Sequence, residues 1–218
     1  AVAGLGWLFI SRSRTARLLS PLIRWILARL LNAPRSRVIV QNPDDAEVLK
    51  KAGVTESHLR MIRGAGVDTA EFSPSPEPAE TICVVLAARI LWDKGVGEFV
   101  EAARQLIQDG VKARVILVGD PDPDNPAAVS EATLHAWQQE TIVEQWGHRD
   151  DMVTVFHDAH VVCLPSYREG LPKVLLEAAA CARPIVTTDV PGCREVVREG
   201  ENGLLVPPRD TQALSNAL

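Results

Sequence analysis

The stretch VVCLPSYREGLPKVLLE, residues 161–177, decides the fold of this 218-residue chain. Its apolar start predicts a buried strand, a Pro-Ser turn follows, and the sequence from Leu171 onward predicts a helix. Glu177 lies eight positions after Glu169, about two turns at roughly 3.6 residues per turn. We therefore expect one carboxylate at the mouth of a strand-to-helix loop and the other deeper on the same side. Backbone N–H groups of the helix N-terminus lie between them.

This arrangement fits a ligand with a diphosphate in its middle and hydroxyl-rich groups at both ends, which describes a nucleotide-sugar. A simpler interpretation makes Glu169 an acid favoured by the helix dipole and Glu177 a solvated helix residue. Glu177, however, is embedded in a stretch with little other polarity, LLEAAA, residues 175–180. A carboxylate there needs partners, and ribose hydroxyls would serve.

Beyond residue 80, apolar strands and helical segments alternate, which predicts an α/β fold with a Rossmann-like, doubly wound parallel sheet. The expected strands are 82–88, 113–118, 141–146, 161–164, 184–188 and 204–206, and the expected helices are 97–108, 130–140, 150–158, 171–181, 192–198 and a last one from 210. Ligands of such sheets bind at the carboxyl ends of the strands. Arg89 and Lys94 follow the first of these strands, so we expect them to bind phosphate oxygens there rather than serve as ordinary surface cations.

The first 43 residues carry seven arginines and no acid, although the whole chain has a net charge of −5. Residues 14–31 have the spacing of a basic amphipathic helix. Such a helix either lies on an anionic membrane surface or packs on a protein core. The Pro-rich segment SPSPEPAE, residues 73–80, predicts a linker between two domains.

The composition argues against a disordered chain, a disulfide-rich secreted protein and a membrane-spanning protein. With 46% hydrophobic and 23% charged residues the chain is of an ordinary globular kind. Its four cysteines form no C-x-x-C pair, which favours a reduced, cytosolic setting. The sequence contains no apolar run of about 18 residues that would span a bilayer. Because the chain does not begin with Met and stops within a predicted helix, we expect it to be part of a longer protein.

From residue 36 onward the chain resembles a family 4 retaining glycosyltransferase of the GT-B fold, from the bacterial group that builds capsular and O-antigen polysaccharides. The resemblance rests on motifs that occur in order along most of residues 38–210. They are VIVQNPDD (38–45), GAGVD (64–68), ARILWDKG (88–95), VGDPDPDNP (118–126), WGHRDDM (146–152), LPSYREGLPKVLLE (164–177), DVPGCREV (189–196) and GENGLLVPP (200–208).

The resemblance implies a role for each candidate residue. Arg89 and Lys94 would bind the donor diphosphate, and Glu169, as the catalytic-site carboxylate, would bind hydroxyls of the transferred sugar. Glu177 would bind the ribose. The remaining candidates are the backbone around Gly170 and Leu171, which would hold the distal phosphate, and the loop Gly147-His148, which would border the base. His160 stands where related sequences usually have an aspartate, and Ala182 where glycine is common.

The resemblance also implies a division of the chain. Residues 1–72 would be the end of an acceptor-binding domain, residues 73–80 a linker, and residues 81–218 a donor-binding domain truncated at its C-terminus. The implied reaction is hexosyl transfer from a nucleotide-sugar, expected to be uridine-linked, to a lipid-linked saccharide. This would take place in the cytoplasm or on the inner face of the cytoplasmic membrane, without nucleic acid. The fragment alone would be inactive.

No cofactor or metal is expected. The loop from Asp120 to Glu131 nearly matches a calcium-binding EF-hand loop, but Asn125 replaces the required glycine and three prolines interrupt it. Two alternatives to a transferase fit the same residues: a nucleotide-sugar epimerase of the same fold, and a nucleotide-binding fragment without activity. A dinucleotide-binding module is disfavoured because no G-x-G-x-x-G follows the first strand after residue 80.

Overall fold

The computed structural model describes residues 25–79 and 81–218. The chain divides into two compact units, the first ending at Ala65 and the second beginning at Gly66. In the part of the chain that the structure describes, no helix has the length and apolar character needed to cross a membrane.

The first unit contains a two-stranded parallel sheet and a helix between its two strands that packs on it. Strand β1 (Val38–Val40) pairs with β2 (Leu59–Met61), and helix α1 (Pro43–Lys51) lies between them in the chain. The side-chain oxygen of Asn42 accepts the backbone N–H of Asp45 at 2.8 Å, which caps the helix. Leu49 on this helix is fully buried.

The predicted amphipathic segment, residues 14–31, lies outside the described residues except for 25–31. These seven residues are helical. Trp25 and Leu30 are 61% and 64% exposed, and the guanidinium of Arg29 lies 5.9 Å from the centre of the Trp25 ring. This end of the segment therefore presents apolar and cationic groups together.

The second unit is built on a six-stranded parallel sheet, which confirms the predicted fold class. Its strands are β3 (Ile82–Ala87), β4 (Ala113–Val118), β5 (Glu144–Gly147), β6 (Val161–Leu164), β7 (Ile185–Thr188) and β8 (Gly203–Val206). The helices of this unit are α2 (Val96–Gln108), α3 (Glu131–Gln139), α4 (Met152–His157), α5 (Lys173–Ala180) and α6 (Thr211–Ala217).

Both faces of this sheet are covered. Along β3, Val85 belongs to one apolar cluster with Phe156 of α4 and Leu175 of α5, while Val84 belongs to another with Phe99 of α2. Alternate side chains of a strand point to opposite faces. A strand buried on both sides must therefore be apolar throughout, as this one is from Cys83 to Ala87.

The strand order within the sheet is β5-β4-β3-β6-β7-β8. The chain therefore runs outward from β3 to β5, returns to β6 beside β3, and runs outward in the other direction. The point where this order reverses lies between β3 and β6. In open parallel sheets, ligands bind at such a point, outside the carboxyl ends of the strands.

The segment that precedes the sheet packs on the second unit. Phe72 is buried in the core of that unit, and its ring lies 6.2 Å from that of Phe156. The buried Arg183 donates to the backbone oxygens of Ser75 and Pro76, at 2.7 and 3.0 Å. The predicted linker is thus attached to the second unit over much of its length.

The predicted helix over residues 192–198 is wrong, because successive turns take its place. Gly192 has φ of 85°, in the left-handed region that interrupts a right-handed helix. Its position is enforced by the backbone, since an added Cβ would lie 2.5 Å from the carbonyl oxygen of Gly170. A tertiary contact therefore overrides the local helical pattern.

Replacing Ala182 by Gly is expected to stabilise the chain by about 0.5–1 kcal/mol. Ala182 is exposed and follows α5 with φ of 58°, the left-handed conformation that glycine adopts readily at a helix end. Urea unfolding of both chains measures the difference. The matched control is Ala179→Gly, the same exchange at an exposed position within α5, which should destabilise by about 1 kcal/mol. A less stable A182G chain would contradict the prediction.

Candidate functional site

A cavity of about 530 Å³ opens at the carboxyl ends of β3 and β4. The ends of these strands, the loops that follow them and the start of α5 surround it. Three of the residues predicted from the sequence line it, namely Arg89, His148 and Glu177. Gly147 lines a smaller neighbouring pocket of about 110 Å³, which shares residues 119–121 with the larger cavity.

Arg89 leaves β3 at the edge of the cavity and is 62% exposed through its side chain. Its Nη1 lies 2.7 Å from Oδ2 of Asp122, in the loop after β4. The backbone N–H of His148 donates to Oδ1 of Asp120 at 3.1 Å. Carboxylates of one loop thus contact two of the predicted ligand-binding residues.

Glu177 lies on α5 and is 7% exposed. Its Oε1 lies 2.7 Å from Nζ of Lys173, one helical turn earlier. This hydrogen bond and the carboxylate charge raise the pKa of Lys173. The sequence predicts that a carboxylate in this apolar stretch needs a partner. In the structure the partner of Glu177 is Lys173, whose side chain is largely exposed to solvent.

Four predicted residues do not line the cavity: Lys94, Glu169, Gly170 and Leu171. Nζ of Lys94 lies 2.5 Å from Oε1 of Glu169, and their side chains are 23% and 11% exposed. Lys94 follows β3 and Glu169 follows β6, so this ion pair joins the two loops across the point where the strand order reverses.

The backbones of these two loops are in direct contact. Tyr167 donates its backbone N–H to the carbonyl oxygen of Asp93 at 2.9 Å. Gly95 has φ of 72°, and an added Cβ there would lie 2.1 Å from the carbonyl oxygen of Pro165. Only glycine fits this approach. The Lys94–Glu169 pair is therefore held by backbone as well as by charge.

The side chain of Tyr167 stabilises the position of the loop that carries Glu169. Its hydroxyl donates to Oε1 of Glu98 at 2.6 Å, and the guanidinium of Arg209 lies 4.3 Å from the ring centre. Burial and the hydrogen bond to Glu98 raise the pKa of this phenol. The hydroxyl thus stays protonated at neutral pH, as a donor to a carboxylate requires.

Cys193 is fully buried close to Glu169 and Lys94. Burial raises the pKa of its thiol to about 12. A thiol with that pKa is protonated at neutral pH, and the thiolate is the nucleophilic form. Cys193 is consequently a packing residue rather than a nucleophile.

Helix α5 points its N-terminus toward the same region. It begins at Lys173 after Pro172, its first turn contains no acidic residue, and no side chain caps it. The first N–H groups of a helix have no partner within the helix, and the dipole favours an anion there. Val174 in this first turn lines the cavity. The helix start therefore suits a phosphate.

Sequence reasoning missed several residues that line the cavity, among them Asp122, Arg149 and Met152. In the sequence, Asp120 and Asp122 stand out only as candidate metal ligands. Within residues 25–79 and 81–218 no group of three or more His, Cys, Asp or Glu side chains is placed to hold a metal ion. The position of Asp122, four residues after the end of β4, could have indicated a place at the site.

Comparisons with known proteins agree with this fold. A Campylobacter jejuni relative, N,N'-diacetylbacillosaminyl-diphospho-undecaprenol alpha-1,3-N-acetylgalactosaminyltransferase, is 31% identical over 233 residues, covering 100% of this chain and 59% of the relative. The Staphylococcus aureus capsular polysaccharide biosynthesis glycosyltransferase CapM is 27% identical over 130 residues, covering 60% of this chain and 34% of CapM. The crystal structure of Anabaena Alr3699/HepE with UDP-glucose matches with a TM-score of 0.74 at 25% identity, covering 92% of this chain and 57% of HepE.

The chain thus spans between about a third and three fifths of the length of these proteins. Residues 81–218, the whole of the described sheet and its helices, match the family described as glycosyl transferases group 1. This chain belongs to the glycosyl transferases group 1 family.

Proposed function

We propose that this chain is the donor-binding part of a retaining hexosyltransferase. The enzyme would move a sugar from a uridine-linked nucleotide-sugar to a lipid-linked saccharide in cell-surface polysaccharide synthesis. One observation carries the proposal. The Lys94–Glu169 pair joins the two loops where the strand order reverses, and the uncapped start of α5 lines a cavity at the carboxyl ends of β3 and β4, the edge at which open parallel sheets bind their ligands.

The chemical problem in such a reaction is the departure of a diphosphate while positive charge builds on the sugar ring. Arg89, Lys94 and the start of α5, with the backbone of Gly170 and Leu171, would stabilise the leaving diphosphate. In comparable sites one preorganised donor contributes roughly 3 kcal/mol. Glu169 would bind hydroxyls of the transferred sugar, and Glu177 those of the ribose. Gly147 and His148 would border the base.

The acceptor is inferred from the relatives. The Campylobacter jejuni protein is named for an undecaprenol-diphosphate acceptor. We propose that the first unit, which ends at Ala65, belongs to an acceptor-binding domain and that the enzyme works in the cytoplasm, on the inner face of the membrane. The exposed Trp25 and Leu30 beside Arg29 support a membrane contact.

An epimerase of the same fold is the second candidate, and it is not favoured because both named relatives are transferases. Incubation of the full-length enzyme with donor alone separates the two. An epimerase converts the donor into a new sugar nucleotide without an acceptor, whereas a transferase requires the acceptor. The third candidate is a nucleotide-binding fragment without activity. It would bind nucleotide but form neither a new sugar nucleotide nor a glycosylated acceptor.

Isothermal titration of this chain with UDP and GDP tests the donor site. We expect UDP to bind, and the double variant Arg89→Ala/Lys94→Ala to bind on the order of 100-fold more weakly, because it removes two charge-assisted contacts to phosphate. The control is Lys112→Ala/Arg198→Ala, which removes the same charges at exposed positions away from the cavity.

A control variant that lost as much affinity would show an effect of net charge alone. Equal binding of UDP by wild type and the Arg89/Lys94 variant would contradict the phosphate assignment. Tighter binding of GDP than of UDP would contradict only the assignment of the base.

A further inference from the structure

Asp122 competes with any ligand for Arg89. Its Oδ2 lies 2.7 Å from Nη1 of Arg89, and both side chains line the cavity. A carboxylate accepts hydrogen bonds and donates none. It can bind the guanidinium, but it repels a phosphate that approaches the same group. The residue next to Arg89 is therefore an anion that the protein itself supplies.

The loop backbone holds Asp122 in this position. Pro121 and Pro123 flank it, and proline restricts the backbone on both sides. The carbonyl oxygen of Asp122 accepts the N–H of Asn125 at 2.9 Å, and the carbonyl oxygen of Asp120 accepts the N–H of Ile90 at 2.9 Å. The second of these bonds ties the loop to the residue after Arg89. The carboxylate is thus held beside the guanidinium by the fold itself.

The repulsion depends on the charge of the phosphate. A terminal phosphate carries about 1.5 to 2 negative charges at pH 7. In a nucleotide-sugar the same phosphate is esterified on both sides and keeps about one charge. A carboxylate at Arg89 therefore disfavours a nucleoside diphosphate more than the nucleotide-sugar from which it is formed.

Resting on the donor site proposed above, we propose that Asp122 determines the affinity of that site as an internal counter-ion for Arg89. It binds the guanidinium and weakens the binding of the nucleoside diphosphate product. The nucleotide-sugar donor carries less negative charge, so Asp122 weakens its binding less. The difference favours release of the nucleoside diphosphate after the reaction. This role is separate from the ligand contacts of Arg89, Lys94 and Glu177, because Asp122 acts against the ligand.

The test is the Kd of UDP for the 218-residue chain, measured by isothermal titration at low salt and without divalent cations. Asp122→Asn is expected to lower the Kd by about three- to fivefold. The matched control is Asp124→Asn, which removes the same charge from an exposed position two residues along the loop, outside the cavity. It should change the Kd by less than about twofold, because solvent and salt screen a distant surface charge.

Two further measurements isolate the contact. In the Arg89→Ala background, the change in Kd caused by Asp122→Asn should differ from the change in the wild-type background, because the two side chains interact directly and their effects on UDP binding are coupled. At high salt, the gain from Asp122→Asn should shrink, since the interacting groups are partly exposed.

Each other outcome decides against the inference. If Asp122→Asn and Asp124→Asn have equal effects, only net charge matters. If Asp122→Asn weakens UDP binding, Asp122 contributes to ligand binding. UDP binding that is lost in Arg89→Ala but unchanged in Asp122→Asn overturns the role of Asp122 and leaves the donor site standing. Absence of UDP binding in wild type and Asp122→Asn alike overturns the donor site itself.

Discussion

Replacing Glu169 by Ala is expected to lower the rate of sugar transfer by the full-length enzyme on the order of 100-fold. Glu169 is the carboxylate proposed to bind hydroxyls of the transferred sugar. Without it the sugar would lose its orientation relative to the departing diphosphate, and misplacement of a reacting group has effects of this size. Turnover with saturating donor and acceptor measures the loss.

A loss of activity through unfolding must be separated from this effect. Glu169 pairs with Lys94 at 2.5 Å, so its removal leaves a lysine free to bind phosphate. The E169A variant should therefore bind UDP as tightly as wild type or more tightly, whereas a misfolded chain would bind less. Glu201→Ala, on an exposed surface, should leave both quantities unchanged. Transfer near the wild-type rate would show that the assignment of Glu169 is wrong.

The sheet could be predicted because its signals are local. The strands are short and mostly apolar, as Cys83 to Ala87 illustrates, since every residue of a central parallel strand faces a covered side of the sheet. When strands and helices alternate along a chain, each helix returns the chain to the same end of the sheet, so neighbouring strands run parallel. The helix expected over residues 192–198 failed because the backbone of Gly170, distant in the chain, sets the conformation of Gly192.

The site could be predicted only in part, because contacts between residues far apart in the chain cannot be read from the sequence. The carboxyl ends of strands are readable from the sequence, and this places Arg89, Glu169 and Glu177 near one edge of the sheet. Their partners were not readable. That Asp122 pairs with Arg89 depends on the path of the loop after β4, and the ion pair of Lys94 depends on a contact between two loops far apart in the chain.

Replacing Gly95 by Ala is expected to destabilise the second unit by about 3–5 kcal/mol. Two costs combine there. The backbone has φ of 72°, and an added Cβ would lie 2.1 Å from the carbonyl oxygen of Pro165. Neither group can turn away by a change of rotamer, so the loops after β3 and β6 must separate. Urea unfolding measures the change, which is a large part of the 5–15 kcal/mol typical of a domain.

The two costs can be separated with Gly110. It has φ of 81°, and an added Cβ would meet nothing within 4 Å. Gly110→Ala therefore carries the conformational cost alone and should destabilise by about 1–2 kcal/mol. The difference between the variants measures the contact between the two loops. Because Lys94 precedes Gly95, the same separation should weaken UDP binding by any G95A chain that remains folded. Equal destabilisation by G95A and G110A would show that the loops after β3 and β6 can separate without a further loss of stability. The backbone contact would then not hold the Lys94–Glu169 pair in place.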